Sequence, residues 1–520
     1  MTTAAKFRVF PNLYKDSVSL MQLGAKLRGR DGIAEASCIM ATPANLAQLQ
    51  DADLAIDVEV APSDLLVVVR GEPAACADAI AAAETILRSS SAAGDGDATG
   101  FRLPLTSIAL GADRGADADL ALISVPGDYA AAEALKALKL GLNVMLFSDN
   151  VSVADERTIK TYARDRELIV MGPDCGTAIV NGIPLGVANV VRRGDIGLVA
   201  ASGTGLQEVT CRIHHAGGGV SQALGTGGRD LKAEIGGITM LQGLAALAGD
   251  PRTRVIVLIS KPPAPAIARK ILDLAAAAGK PVVVHFLGAA PGAVRGSGLV
   301  AADSLQHAGD VAVALASGRA PPASSAAPSA AQLAAIADIA DRMAPSQRAV
   351  RGLFTGGTFC YEAQLVFRGR GLRCRSNAPA DGVLPLEGTM EGHVFVDMGD
   401  DDYTRGRPHP MIDPSLRNAA VMKEAADPAV AAIVVDVVLG YGSHADPAEG
   451  LAAALIAGER DARAQGRTLA LIGHVCGTDG DPQDRAAQIA QLEAAGAIVA
   501  GSNFEAAALA AHLAARLAGR

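Results

Sequence analysis

Short apolar runs alternate with helix-period stretches along nearly the whole chain. Within residues 1–92, KFRVF, IAEASCIMA and DLLVVVRG read as strands. KDSVSLMQLGAKLRG sets Val18, Leu20, Met21 and Leu27 mainly on one side of a helix, and PANLAQLQDA starts like another. EPAACADAIAAAETILRSS is a third helix, with Glu72 in its first turn. This order predicts a small α+β domain over 1–92, of ferredoxin-like character. SSSAAGDGDATG, 89–100, reads as a flexible linker.

Residues 101–190 run ADLALISV, NVMLFS and LIVMGPDCGT as strands, with DYAAAEALKALKLG and VADERTIKTYARDRE as helices between them. Alternation of this kind predicts parallel pairing through right-handed crossovers, a Rossmann-like unit. The G-x-G-x-x-G fingerprint is missing from it. Residues 191–318 keep the rhythm, and GRAPPASSAAPSAAQ at 318–332 reads as a second linker. Residues 346–520 then repeat it. AVRGLFTGGTFCYEAQLVF mirrors DIGLVAASGTGLQEVTCRI, AAIVVDVVLG mirrors TRVIVLISKPP, and AQGRTLALIGHVCG mirrors AAGKPVVVHFLGAA. The shared order points to an internal duplication of 191–318 and 346–520. The expected fold class is α/β, with several doubly wound parallel-sheet domains behind the small α+β domain.

Composition agrees with buried parallel sheets under Ala-rich helices: 50% of residues are hydrophobic but only 3% aromatic. A length of 520 residues calls for about three or four domains. The formal charge of −9 leaves no basic footprint, which excludes nucleic acid as a partner. No run of about 18 apolar residues occurs free of charge and breakers, and MTTAAK lacks a signal core. A soluble, cytoplasmic protein without membrane contact is the expectation. The cysteines 38, 76, 175, 211, 360, 374 and 476 are scattered, form no CxxC pair, and read as reduced thiols.

Each copy of the duplication carries small residues at a strand-to-helix turn: Ser202, Gly203, Thr204 and Gly205 in the first, Thr355, Gly356, Gly357 and Thr358 in the second. Such turns either cap their helices or offer bare N–H groups and the positive end of the helix dipole to an anion. Because the two turns match, the cradle reading gains: a phosphate between two helix N-termini. Neither turn continues into Gly-Lys-Ser/Thr, so a Walker-type NTPase is excluded. Glu208 and Glu362 follow Thr204 and Thr358 by four residues. They are candidate catalytic groups, or acids that stabilise their helix starts.

MGPDCGTAIVNG, GDIGLVAASGTGLQEV, GTGGRDL and RVIVLISKPP resemble the α subunit of succinyl-CoA synthetase, and 346–520 resembles the ligase domain of its β subunit. The fusion order, VFPNLYKDSVSLM near the start and FVDMGDDDYTRGRPHPMIDPSLR at 395–417 resemble the FdrA family. In the synthetase two helices aim their amino ends at a phosphohistidine. Ser202, Gly203 and Thr204 match one turn, Gly356, Gly357 and Thr358 the other, and Glu208 falls where the synthetase has a Glu beside that histidine. The histidine loop itself departs: AAPGAVRGSGLV has no His, and the His-Ala-Gly of His307 lies further along. The resemblance to FdrA implies a subunit of an oxamate carbamoyltransferase of allantoin degradation. That enzyme turns oxalurate and phosphate into oxamate and carbamoyl phosphate, in a hetero-oligomer with other subunits. Two alternatives stay open. One is a CoA-linked acyl transferase or acyl-CoA synthetase with CoA on 101–190, against which the missing fingerprint counts. The other is a non-catalytic scaffold subunit.

Further candidates lie at strand ends. His444 in GYGSHADP and His474, Cys476, Thr478 and Asp479 in GHVCGTDGD follow apolar strands, where open α/β sheets place their sites. His444 and His474 are candidate acid–base groups. Arg229 and Asp230 in GGRDL, with Arg405 and Arg407, are candidates for binding a carboxylate substrate. Asp400, Asp401 and Asp402 can hold Mg²⁺ or lie in a solvated loop together with His409 and Asp413. His214 and His215 read as structural, and Lys261 can face an anion.

Overall fold

The computed structural model describes residues 4–51, 54, 56, 58–92, 105–114, 118–289, 292–294, 296, 298–388, 390–404 and 408–519. Most of the 89–100 linker, part of AAPGAVRGSGLV, and both Arg405 and Arg407 lie outside them. The α/β class holds: one small antiparallel sheet and three largely parallel ones.

In the N-terminal domain Leu65–Gly71 sits between Ala4–Phe10 and Ile33–Met40, antiparallel to both. Apart from Arg70 this strand is buried throughout, because helices cover both of its faces. Val67 and Val69 meet Leu20, Leu23 and Leu27 on one side, while Leu66 and Val68 meet Leu49 and Leu54 on the other. Asp16 starts helix Ser17–Arg28 by accepting from Ser19 N at 2.9 Å. Next along the chain, Leu120–Ile123, Asn143–Leu146 and Val170–Met171 form a three-stranded parallel sheet.

The two remaining sheets have seven strands each. In the first, Arg193–Ala200 is central, with Val220–Gly225 on one side and Val255–Ser260, Val282–Phe286 and Leu299–Ala301 stepping away on the other. The hairpin Thr177–Val180/Ile183–Gly186 adds to its edge, antiparallel to Val220–Gly225, so this sheet extends across residue 190. In the second, Ala349–Phe354 is central, between His393–Asp397 and the run Val430–Val438, Ala470–Cys476, Ile498–Ala500. Both central strands therefore lie at a topological switch point, where the carboxyl ends of the strands open a crevice. The expected duplication is visible in five parallel strands of each sheet, while one edge differs: an antiparallel hairpin in the first, two short parallel strands, Cys374–Ser376 and Leu384–Pro385, in the second. The two copies share one apolar core, in which Leu206 and Val209 belong to the same cluster as Phe359, Phe367, Leu509 and Leu513. Among the described residues no helix is long and apolar enough to cross a membrane.

Candidate functional site

At each switch point the chain leaves the central strand and enters a helix: Gly203–His215 in the first copy, Gly357–Gly369 in the second. The two amino ends meet. Ser202 Oγ and Thr358 Oγ1 share a hydrogen bond of 2.5 Å across the junction. Ser202 Oγ also accepts from Gly205 N at 3.0 Å, capping its own helix. Small residues permit this approach. A Cβ on Gly356 would come within 3.0 Å of Thr204 Cγ2, and a Cβ on Gly357 would collide with the Asp397 carboxylate. Gly203 is exposed and Gly357 half-buried, while Thr204 and Thr358 are buried. First-turn N–H groups have no acceptor inside their own helix, so the junction presents donors to a ligand.

The second turn is not a bare cradle. Asp436, on the strand Val430–Val438, accepts from Thr355 N at 2.7 Å, Thr355 Oγ1 at 2.9 Å and Gly356 N at 2.8 Å. This corrects the role expected of Gly356, whose N–H is taken by a carboxylate. Arg417 donates to the Asp436 carbonyl and lies 3.8 Å from its carboxylate. Asp397 stands beside Gly357, and burial pushes it up to about 6, while the Gly399 N–H and Lys261 pull the other way. The Lys261 ammonium lies 5.2 Å above the Tyr361 ring. Asp397 and Asp436 were not singled out in the sequence. The available signal was an Asp interrupting the apolar run AAIVVDVVLG.

Several expected site residues serve the fold instead. Glu208, Glu362 and His474 are buried, and their polar atoms are engaged by partners across the seam. Glu208 crosses to the second copy, accepting from Asn503 N at 3.2 Å and lying 2.7 Å from His474 Nε2. Glu362 crosses to the first by accepting from Leu305 N at 2.9 Å, and within its own copy it accepts from Asn503 Nδ2 at 2.8 Å. Each thus supports the start of the last helix in the opposite copy. Asp230 is fully buried, bonded to Lys160 Nζ at 2.7 Å and to Thr239 N and Met240 N at the start of the next helix. Arg229 pairs with Glu156 at 3.0 Å and donates to Val151 O. Asp230 is thus not left to bind substrate.

His444 accepts from Asp446 N at 3.1 Å within its own loop and meets none of the residues at the helix ends. His307 has both ring nitrogens engaged, by Asp303 and by the Pro322 carbonyl. His214 bridges Arg192 N and Asp479, the structural role expected of it. Asp479 is thereby used, and Thr478 is bonded to Val190 O and Asp481. Asp400 caps its own short helix at Asp402 N, and Asp413 is paired with Arg28 of the N-terminal domain. Among the described residues the three acids 400–402 do not converge on a metal position; Glu208, His474 and Cys476 do.

Known proteins agree with a succinyl-CoA synthetase-like arrangement. Residues 191–288 match a family described as a CoA binding domain, and residues 353–513 one described as CoA-ligase. Residues 1–101 match "AllF, heavy metal-associated domain". YahF of Escherichia coli K12, itself uncharacterized, is 42% identical over 505 residues, covering 96% of both chains. The chain belongs to the YahF family. This family is succinyl-CoA synthetase-like: the α-2 subunit of a mitochondrial succinate–CoA ligase from Trichomonas vaginalis is 30% identical over 28% of the chain, which spans about half of that subunit. The crystal structure of PH0766 from Pyrococcus horikoshii aligns with 82% of the chain and 89% of its own, at 14% identity and a TM-score of 0.35.

These matches correct the carbamoyltransferase expectation, since the domains that carry both helix ends are CoA-ligase and CoA-binding ones. The CoA-binding match also falls on 191–288 and not on 101–190. In the N-terminal domain Cys38 and Cys76 are buried, burial pushes Cys38 up to about 12, and residues 11–16 between the first strand and helix contain neither Cys nor His. The domain holds no His, and among the described residues none of its side chains groups into a metal position, so these residues do not fit a metal site.

Proposed function

We propose that the chain is a CoA-linked acyl transferase of the succinyl-CoA synthetase type, which exchanges an acyl group between CoA and phosphate where its two cradle helices meet. The 2.5 Å hydroxyl contact between Ser202 and Thr358 carries this reading, because it brings a helix start from the CoA-binding match against one from the CoA-ligase match. In the proposed reaction a phosphate oxygen attacks the thioester carbonyl, a C–O bond forms, the C–S bond breaks, and CoA leaves as thiolate and takes a proton. The products are an acyl phosphate and CoA. Helix-end N–H groups and the two hydroxyls would hold the phosphate and the developing oxyanion. Neither a phosphohistidine nor a nucleotide is needed for this step.

The test uses succinyl-CoA, after the matched ligases, and follows phosphate-dependent thiol release with capture of the acyl phosphate by hydroxylamine. Ser202→Ala and Thr358→Val are each expected to slow release roughly a hundredfold. Thiol release that ignores phosphate, or folded variants with full activity, would sink the reading.

A further inference from the structure

A second cluster lies deeper in the seam between the copies. Glu208, His474 and Cys476 hold a carboxylate oxygen, an imidazole nitrogen and a sulfur all within 4.8 Å of one another. Cys211, one turn along the helix from Glu208, places its thiol beside that of Cys476, outside the three atoms that all lie within 4.8 Å. The spacing explains the convergence. Glu208 and Cys211 are one turn apart on helix Gly203–His215, and His474 and Cys476 face the same side of strand Ala470–Cys476. All four are less than 5% exposed.

We propose that Glu208, Cys211, His474 and Cys476 form a buried site for one divalent metal ion of the zinc class. Two thiolates, an imidazole and a carboxylate are the donor set such an ion takes in tetrahedral sites, whose donor–donor edges are about 3.5 Å. To reach that size the 2.7 Å edge between His474 Nε2 and Glu208 Oε2 opens while the edges to sulfur close. The outer contacts favour ligation. The Ala500 carbonyl lies 3.3 Å from His474 Nδ1, accepts its proton, and leaves Nε2 turned toward the cluster. Asn503 N holds Glu208 Oε1 and leaves Oε2 pointing the same way, 2.7 Å from Nε2. Binding releases the thiol protons and any proton on Nε2, leaving two thiolates, a carboxylate and a neutral imidazole around the ion.

The duplication supplies an internal control. His285 matches His474: each pairs with the neighbouring inner strand, at Ile259 and Asp436, and each Nδ1 meets a carbonyl two residues before a Ser N-cap. Glu362 matches Glu208. At the positions equivalent to the two cysteines the first strand and second helix carry Leu287 and Leu365. Packing there is satisfied by leucines, and His285 Nε2 is left without a partner. The thiols thus occur together and in one seam only. None of the four donors belongs to the helix-end contact, so this proposal stands independently of the proposed reaction.

The experiment measures zinc and other transition metals in the untagged, full-length protein by mass spectrometry, then exchanges Co²⁺ into it. The expectation is about one metal per chain and a thiolate-to-cobalt charge-transfer band. Cys211→Ser and Cys476→Ser should each weaken retention at least tenfold, while Cys374→Ser, away from the seam, should not. If the serine variants fail to fold, the pair Cys211→Leu with Cys476→Leu, copying the other seam, should fold and hold no metal. Protein that takes up no Co²⁺ with such a band, retention in the leucine pair, or a Cys211–Cys476 disulfide in the isolated protein would overturn the proposal.

Discussion

Asp397 sets the charge felt by an anion at the second helix end. Its carboxyl stands against Gly357, and burial, the largest influence on it, raises it to about 6. Above that pH it is an anion at the position where phosphate is proposed to bind. Below it, the neutral acid can donate a hydrogen bond. Sulfate, whose charge is constant across this range, is therefore expected to bind roughly 5–10-fold more tightly at pH 5 than at pH 7.5, a difference of about 1 kcal/mol. Asp397→Asn should bind with little pH dependence. Titration calorimetry at the two pH values decides it, and an unchanged pH dependence in the variant would remove Asp397 from the site. The residue scale is also where the sequence was least legible. Ser202, Gly203, Thr204 and Thr358 were found because turn chemistry is local. Asp436 was missed because its partners, Thr355 and Gly356, lie about eighty residues earlier in the chain. Glu208 was read as catalytic because its burial depends on Asn503 and His474, which lie far along the chain.

At the scale of elements, each copy stabilises the start of a helix in the other. Glu362 is the clearest case, because both of its oxygens accept from groups at helix starts, Leu305 N and Asn503 Nδ2. Burial is the main influence on it and raises it to about 7 from 4.5. The folded state thus keeps this proton where the unfolded chain loses it. Its stabilising contribution is complete below pH 4.5 and is lost as pH rises through about 7, a change of up to about 3 kcal/mol. Glu362→Gln keeps an acceptor for Leu305 N but cannot ionise. Urea unfolding of both proteins at pH 5 and pH 8 should show the variant gaining on the parent at the higher pH. A constant difference between them would show that Glu362 is already ionised in the fold. Strands and helices were readable from period alone, and so was the duplication. The hairpin 177–186 was not assigned to the sheet it joins, because pairing with Val220–Gly225 is a long-range choice that a short apolar run does not encode. The buried Lys160 was equally silent. It bonds Asp230 at 2.7 Å and lies 3.0 Å from Glu156, and Lys160→Met should cost about 3–5 kcal/mol by leaving the buried Asp230 carboxylate without its cation, measurable as a lower urea midpoint.

Over the whole molecule, the cores show which parts stand or fall together. One cluster runs from Ile196 through Phe359 to Leu517 and includes both copies, and Met145 and Met171 tie the 118–171 unit to the first copy, whereas the N-terminal domain keeps a core of its own. The link from the N-terminal domain to the second copy that stands out is polar, the Arg28–Asp413 pair, with side chains 15% and 9% exposed. A defect at the seam should therefore travel through both copies and stop at the N-terminal domain. Phe359 is fully buried there, its ring centroid 6.0 Å from that of His474. Phe359→Ala is expected to cost about 3–5 kcal/mol. In hydrogen exchange, protection should fall together in Arg193–Ala200 and Ala349–Phe354, while Leu65–Gly71 keeps its own. Loss confined to Ala349–Phe354 would mean that the copies are separate folding units resting on each other. The proposed reaction needs the coupled outcome: a hydroxyl from each copy, 2.5 Å apart, can hold one phosphate only if the two sheets move as a single body.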